Sequence, residues 1–426
     1  MIEKILVILI ILLPLQFALN VGENIDLVIT RLLVPVVFFL WLARGLARKK
    51  IWIADRTQTW LIFAFLFLAL ISLWGGLDWV KGTRKILYLF SIVPIYFVAA
   101  DLAQDEKLRI KIVKVIWASG VLAAMTGLVQ FALPFVLGLE ATLRMWKKLA
   151  VFFLGNSFGK LVVTNPSWLV NISGVTRMRA FGTFADPHIF SFFVSLCFFT
   201  ALGLLIHEKS RFLKAAYFAG DLLMILAIGF SFSRGAYLGV AAGALVFLIV
   251  YLAHSGHLKK VLLAGGAAAL ILLLFFLSPV FQRMTSVFNL KEGSNVERMK
   301  NWSQATEIIS DYPLFGIGLG NYSSVIDPTA SERSSIYAHN LFLDIAAETG
   351  ILNGLVFVGL ILVSIWKNIR GKDMIGLGLA AGFVYFLVHG IFDTPIWAPQ
   401  VMVVFLVILA LNLNVTRLRV DKKLHN

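Results

Sequence analysis

The chain has 426 residues, of which 59% are hydrophobic and 14% charged, with a net charge of +15. A soluble domain of this length cannot hide that much apolar surface, because the buried fraction grows slowly with size. The apolar residues instead fall in runs of roughly 20, each enough to cross about 30 Å of hydrocarbon, which gives an all-α polytopic membrane bundle.

Taken in order, the pattern predicts about twelve spans. They are Ile5–Leu19, Leu27–Leu46, Trp60–Leu77, Lys85–Ala100, Ile110–Leu137, Phe190–Ile206, Phe212–Phe230, Tyr237–Leu252, Val261–Leu277, Ile351–Trp366, Ile375–Ile391 and Val401–Leu413. The first run begins after Glu3-Lys4 and lacks a small-residue cleavage pattern, so it is expected to be a retained helix. The expected organisation is N-terminal spans (1–137), an outer loop with an interfacial segment (138–186), central spans (187–277), an extracytoplasmic loop (278–350), and C-terminal spans with a tail (351–426).

Lys and Arg crowd alternate loops: Arg44 to Arg56, Lys107 to Lys114, Lys209 to Lys214, Lys259-Lys260, Lys367 to Lys372, and the C-terminal Arg417 to Lys423. Basic loops stay inside, so both termini are expected in the cytoplasm and the two long loops outside the inner (plasma) membrane. The charge therefore calls for membrane lipids as neighbours and not for nucleic acid. Cys197 is the single cysteine, which excludes an internal disulfide. In the first outer loop, Arg144-Met-Trp-Lys-Lys148 precedes the short apolar stretch Leu149–Leu154, a composition suited to the membrane surface. Asp186 before Pro187 is placed to cap the sixth span.

Four groups could carry chemistry. Ser231-Phe-Ser-Arg-Gly-Ala236 forms a very short connection, which puts Ser233 and Arg234 at a helix start near the outer boundary. Arg234 is either a snorkelling arginine or a fixed cation for lipid phosphate, a role that suits its planar fork. Ser294 and Glu297 have capping-box spacing, and Met299, Trp302, Ala305 and Ile309 recur at helical intervals behind Arg298. Arg298 sits against the helix dipole, where a structural role would be a salt bridge to Glu297 or Asp327. Gly316, Gly318 and Gly320 suit close backbone approach or a tight turn, without the Lys-Ser/Thr of a nucleotide loop.

His339 is expected to open a helix that buries Leu341, Phe342, Ile345 and Ala346 and stops at Gly350. The dipole there would disfavour protonation, leaving a neutral base, unless the ring serves only in capping or packing. Asn340 could orient substrate or hold the loop, and Trp302 could be a core contact. His389 and Asp393 form a second polar pair near a span end, where packing at the interface is the leading reading. The outward-facing residues show no metal-ligand spacing, so neither metal nor cofactor is expected.

Ser-Arg-Gly-Ala at 233–236, Arg298 with Trp302, Pro-Leu-Phe-Gly-Ile-Gly at 313–318, and Ala-His-Asn at 338–340 before Glu-Thr-Gly at 348–350 resemble the O-antigen ligase superfamily. That group includes lipopolysaccharide O-antigen ligases, Wzy-type polysaccharide polymerases and protein O-oligosaccharyltransferases. The resemblance covers roughly residues 175–395. It implies a metal-independent, inverting glycosyl transfer from a polyprenyl-diphosphate-linked donor to a glycan or lipid-core acceptor. It also implies diphosphate contacts for Arg234 and Arg298 and a catalytic or acceptor-positioning role for His339. Arg179, in Arg-Ala-Phe-Gly-Thr-Phe, matches a further arginine of the family, while His188 stands where asparagine is frequent and takes no role. The alternative from another class is a flippase for lipid-linked oligosaccharides, which would set its charges near the bilayer midplane.

Overall fold

The computed structural model describes residues 1–22, 25–54, 56–164, 166–172, 174–255, 293–329, 336–371 and 373–412. Among them, eight helices are long and apolar enough to cross a membrane: Ile29–Ala47, Thr57–Gly75, Trp79–Leu102, Glu106–Leu137, Pro187–Ile206, Arg211–Phe230, Arg234–His254 and Ile351–Arg370. Two shorter apolar helices, Met374–Gly390 and Pro399–Ala410, are buried along nearly their whole length. The architecture is that of an all-α polytopic membrane protein. The expected ninth span, Val261–Leu277, and the basic tail lie outside the described residues.

The N-terminus differs from the expected Ile5–Leu19 span. A helix over Ile2–Leu12 tightens into a 3-10 turn at Leu13–Leu15, and Ala18–Gly22 then pairs antiparallel with Ile25–Val28. Pro14 in the first turn of the 3-10 segment removes a backbone donor there, which ends the regular α-helical ladder. A second small hairpin pairs Leu169–Ile172 with Val175–Met178 in the first outer loop. Ahead of it, the basic and apolar pieces of that loop join into one helix, Leu139–Leu154.

Aspartates set the starts of several helices. Asp186 accepts from the backbone N–H groups of His188 and Ile189, as its position before Pro187 predicts. Asp78 accepts from Val80 and Lys81, and Asp105 from Lys107 and Leu108. Each cap satisfies donors that a helix start would leave unpaired.

The central bundle is held by close backbone approach. A Cβ at Gly203 would meet the Met374 carbonyl at 2.5 Å, and one at Gly378 would meet the Phe199 carbonyl at 2.4 Å. Small residues at crossings let membrane helices pack where no hydrophobic drive separates protein from lipid. At one end of this bundle, two guanidiniums close the helix that finishes at Ala410. Arg56 donates to the Ala410 carbonyl at 3.0 Å, and Arg109 donates to Leu411 at 3.1 Å while pairing with Asp373 at 2.6 Å. Cations at exposed helix carbonyls complement the dipole.

The opposite end carries the lid. Its first helix, Gly293–Asp311, buries Ala305 and Ile308, while Met299 is exposed, so the inward stripe is rotated from the one expected. After Pro313 the chain folds back on the short helix Leu341–Thr349. The Ile317 N–H donates to the Ala347 carbonyl at 2.9 Å, and the Ile351 N–H donates to Pro313 at 3.0 Å. A Cβ at Gly316 would lie 2.4 Å from the Glu348 backbone. The glycines of this turn therefore serve close packing, and their φ values are positive. Asn321 ties the lid to the bundle by accepting from the Asp78 N–H at 2.8 Å.

Candidate active site

The site is built from residues that chain connectivity places at the lid end. They come from the start of the Pro187 helix, the Ser231–Arg234 turn, the end of the Met374–Gly390 helix, the first lid helix and the segment just before the short helix Leu341–Thr349. Asp393 is the point at which they meet. It is 5% exposed and follows the last turn of the Met374–Gly390 helix.

His339 Nδ1 lies 3.2 Å from Asp393 Oδ1. Arg298 Nη2 approaches Asp393 Oδ2 at 3.8 Å, and its Nε donates to the Phe392 carbonyl at 3.2 Å. Arg298 thus reaches across to the 392–393 connection and not to Glu297 or Asp327. His188 Nδ1 is 2.8 Å from Asp393 Oδ2 and 3.0 Å from Ser233 Oγ. Oδ2 nevertheless takes no aligned hydrogen bond among the described residues. We therefore assign the His188 N–H to Ser233 and treat the contact with Asp393 as electrostatic.

One consistent set of protons satisfies the buried network. Tyr385 donates to the Ser191 carbonyl at 3.0 Å, so His389 Nδ1–H donates to the Tyr385 oxygen at 2.6 Å. His389 Nε2 then accepts from Ser233 Oγ at 3.3 Å, and Ser233 accepts from His188 Nδ1–H. His188 Nε2 is left to accept from Arg179 Nη2 at 3.4 Å. Each group gives and receives as its chemistry allows. On the other side, Nδ1–H of His339 donates to Asp393, which leaves Nε2 as the ring nitrogen able to take a proton.

The electrostatics follow from this hub. Burial pushes the Asp393 carboxyl up, but the His188 ring, the hydrogen bond from His339 and the Arg298 guanidinium outweigh it, holding Asp393 well below the usual carboxylate range. Burial works against the charged form of His339, and the hydrogen bond and negative charge of Asp393 overcome it, so its pKa is raised. This corrects the expectation of a dipole-depressed histidine. Asn340 is the N-cap, accepting from Phe342 and Leu343, and the helix starts at Leu341. His339 stands before the cap, outside the first turn, with φ at +51°. An L-residue held there is strained by roughly 1–3 kcal/mol, as is common where a site over-determines its geometry. Phe232, in the turn that carries Ser233 and Arg234, has φ at +50°.

The other expected residues have distinct surroundings. Arg234 is the first residue of its helix and is 6% exposed. Arg179 is buried and directed at backbone, donating to the carbonyls of Ser231 at 2.7 Å and Ser167 at 3.1 Å. It braces the Ser231 turn. Trp302 lies tilted against Phe392, centroids 6.4 Å apart, and its buried indole N–H makes no hydrogen bond among the described residues. The short helix buries Asp344 and Glu348 as well as Leu341 and Ile345, so its inward face is partly charged.

Sequence reasoning undervalued Asp393 and His389 and gave His188 no role. The available signal was an ionisable pair four residues apart at the end of an apolar run. His188, His389 and Asp393 also present ligand atoms within 4.8 Å of one another, a set that could hold a cation. The Asp393 charge there already faces the Arg298 guanidinium and the raised His339 ring, and a metal would have to compete with both.

Residues 219–358 match a family model described as O-antigen ligase. Over that segment the chain is similar to the O-antigen ligase superfamily. In general terms the match supports an O-antigen ligase- or polymerase-like membrane glycosyltransferase. No curated protein matches the chain. The matched segment contains Ser233, Arg234, Arg298, Trp302, His339 and Asn340. Arg179 and His188 lie before it, and His389 and Asp393 after it, so the buried cluster draws on residues from both sides of the matched segment.

Proposed function

We propose that the protein transfers a glycan from a polyprenyl-diphosphate carrier to an acceptor hydroxyl at the outer face of the inner (plasma) membrane, with inversion and without a metal. Both termini then lie in the cytoplasm, as the alternation of basic loops requires. His339 Nε2 takes the proton of the acceptor hydroxyl as its oxygen attacks the anomeric carbon. The bond from that carbon to the diphosphate oxygen breaks, and polyprenyl diphosphate leaves. Arg298 and Arg234 meet the charge that develops on the leaving group, usually the largest catalytic contribution. Asp393 fixes the His339 tautomer and raises its basicity.

The observation that carries this reading is the placement of Asp393 between His339 and Arg298, which joins a base and a cation from two separate lid segments. The test is incubation of the purified protein in nanodiscs with a polyprenyl-diphosphate-linked glycan and three acceptors: lipid A core, a second glycan unit, and a peptide. Product identification by mass spectrometry and the anomeric configuration by NMR decide it. Transfer with inversion that persists in EDTA supports the reading. Retention of configuration, or loss of activity with EDTA and recovery with a divalent cation, overturns it.

A further inference from the structure

The short lid helix Leu341–Thr349 carries a side chain whose two oxygens serve different parts of the chain. Asp344 is 2% exposed. Its Oδ1 accepts from the Ala338 N–H at 2.7 Å, and its Oδ2 accepts from the Thr394 hydroxyl. Ala338 immediately precedes His339, and Thr394 immediately follows Asp393. One carboxyl group therefore joins the residue before the base to the residue after the base's partner. Glu348, one turn further along the helix, pairs with Lys85 at 2.6 Å instead.

The backbone around His339 needs such a tie. Asn340 caps the helix by accepting from Phe342 and Leu343, which fixes the chain on the C-terminal side of His339. His339 itself has φ at +51°, a conformation that an L-residue keeps only where its surroundings over-determine it. Asp344 supplies the constraint on the other side, at the Ala338 N–H. Ala338 is fully buried, so that N–H requires a protein acceptor. Thr394 stands at the N-cap of the 3-10 turn Pro395–Trp397, beyond the bundle helix that leads to Asp393, so the second bond crosses from lid to bundle. Neither bond depends on the charge of Asp344. A carboxylate accepts both, while a carboxylic acid accepts from Ala338 and donates to Thr394. A leucine would fill the same space and tie neither segment.

We propose that Asp344 is a positioning residue for transfer. Its carboxyl group clamps the segment that carries His339 to the segment that carries Asp393, and so keeps the imidazole aligned for the acceptor hydroxyl. The inference rests on the glycosyl-transfer reading for the reaction it serves, but not for the clamp itself.

The test combines single-turnover transfer by the full chain in nanodiscs with amide hydrogen exchange of residues 336–340. Asp344→Leu is expected to lower the rate about 100-fold with donor affinity retained, the scale of a small misplacement of a reacting group. Asp344→Asn keeps both hydrogen bonds and restores most of the rate. Thr394→Val leaves Ala338 tied and falls between the two. In a His339→Ala background, Asp344→Leu costs no more than about twofold, because groups that act as a unit do not add. A wild-type rate in Asp344→Leu, or the same loss whether or not His339 is present, overturns the proposal. If Asp344→Leu does not fold, Thr394→Val in the same two backgrounds decides by the same rule. Hydrogen exchange reads the clamp without donor or turnover. Protection of residues 336–340 is expected to fall about tenfold or more in Asp344→Leu and to persist in Asp344→Asn. Unchanged protection in Asp344→Leu overturns the clamp. A wild-type chain that transfers nothing overturns the glycosyl-transfer reading, while exchange still decides the clamp.

Discussion

His339 and Asp393 are 54 positions apart in the chain, yet His339 Nδ1 and Asp393 Oδ1 lie 3.2 Å from each other. The lid contributes the imidazole and the membrane bundle the carboxylate, so the pair exists only when the lid is seated. This makes Asp393 a positioning residue with a distinctive signature. In Asp393→Asn the side-chain oxygen still accepts from Nδ1–H, but the charge is gone. The rate of transfer is expected to fall about 100-fold or more, the usual scale for a general base deprived of its orienting charge. The acid limb of the pH–rate profile should also move to lower pH, because the His339 pKa is no longer raised. A lower rate with an unmoved limb would mean that Asp393 acts only on packing.

Arg298 makes two different contacts, a hydrogen bond to the Phe392 carbonyl and an approach to Asp393. Arg298→Lys keeps the charge and loses the fork. It is expected to raise the KM for donor at least tenfold and to lower kcat as well, since leaving-group charge is greatest in the transition state. Steady-state kinetics with varied donor measure both. An unchanged KM and kcat would separate Arg298 from the diphosphate.

Gly235 has no room for a methyl group. A Cβ there would sit 2.5 Å from His389 Cδ2 and 3.0 Å from the Phe392 Cβ. Gly235→Ala must displace the His389 ring, which stacks on Phe192 at 3.9 Å, or shift the 392–393 connection. Overpacking of this kind costs about 1–3 kcal/mol. The thermal midpoint should drop by a few degrees, and transfer should fall by more than stability alone explains, because Asp393 moves with Phe392. Wild-type activity in a stable variant would show that the network tolerates the shift.

Asp344 gives a prediction with a defined pH sense. Burial pushes its carboxyl up to about 7, against hydrogen bonds from Thr394 and the Ala338 N–H. Between the ordinary carboxylate range and about 7, the folded chain keeps a proton that the unfolded chain has released. Stability is therefore full below that window and is lost as pH rises through it. Asp344→Asn still accepts from Ala338 and can donate to Thr394, and it carries no charge. Its thermal midpoint should exceed that of the wild type near about pH 8, and the difference should vanish toward about pH 4. A gap that does not change with pH would contradict the assignment.

Much of the scaffold was legible because it depends on local rules. Apolar run length located most of the long apolar helices among the described residues, though not the short one at the N-terminus, and Asp186 before Pro187 announced its own cap. The Gly316 to Gly320 turn was readable as irregular, but its packing against Glu348 was not, since that contact is long-range. The site was half legible. His339 and Arg298 stood out as polar residues in an apolar chain. Asp393 did not, because its value comes from partners at 188, 298 and 339 that no periodicity links to it. The direction of the His339 pKa shift was misread for the same reason. A dipole argument sees only the residue's own helix, and the nearest anion is on another.

The central claim is that His339 accepts the proton of the attacking hydroxyl. Its most direct measurement is single-turnover transfer from a polyprenyl-diphosphate-linked glycan by His339→Ala in nanodiscs, alongside donor binding to the same variant. The account predicts a rate lower by about 100- to 10,000-fold with donor affinity retained. A turnover rate close to wild type would contradict it.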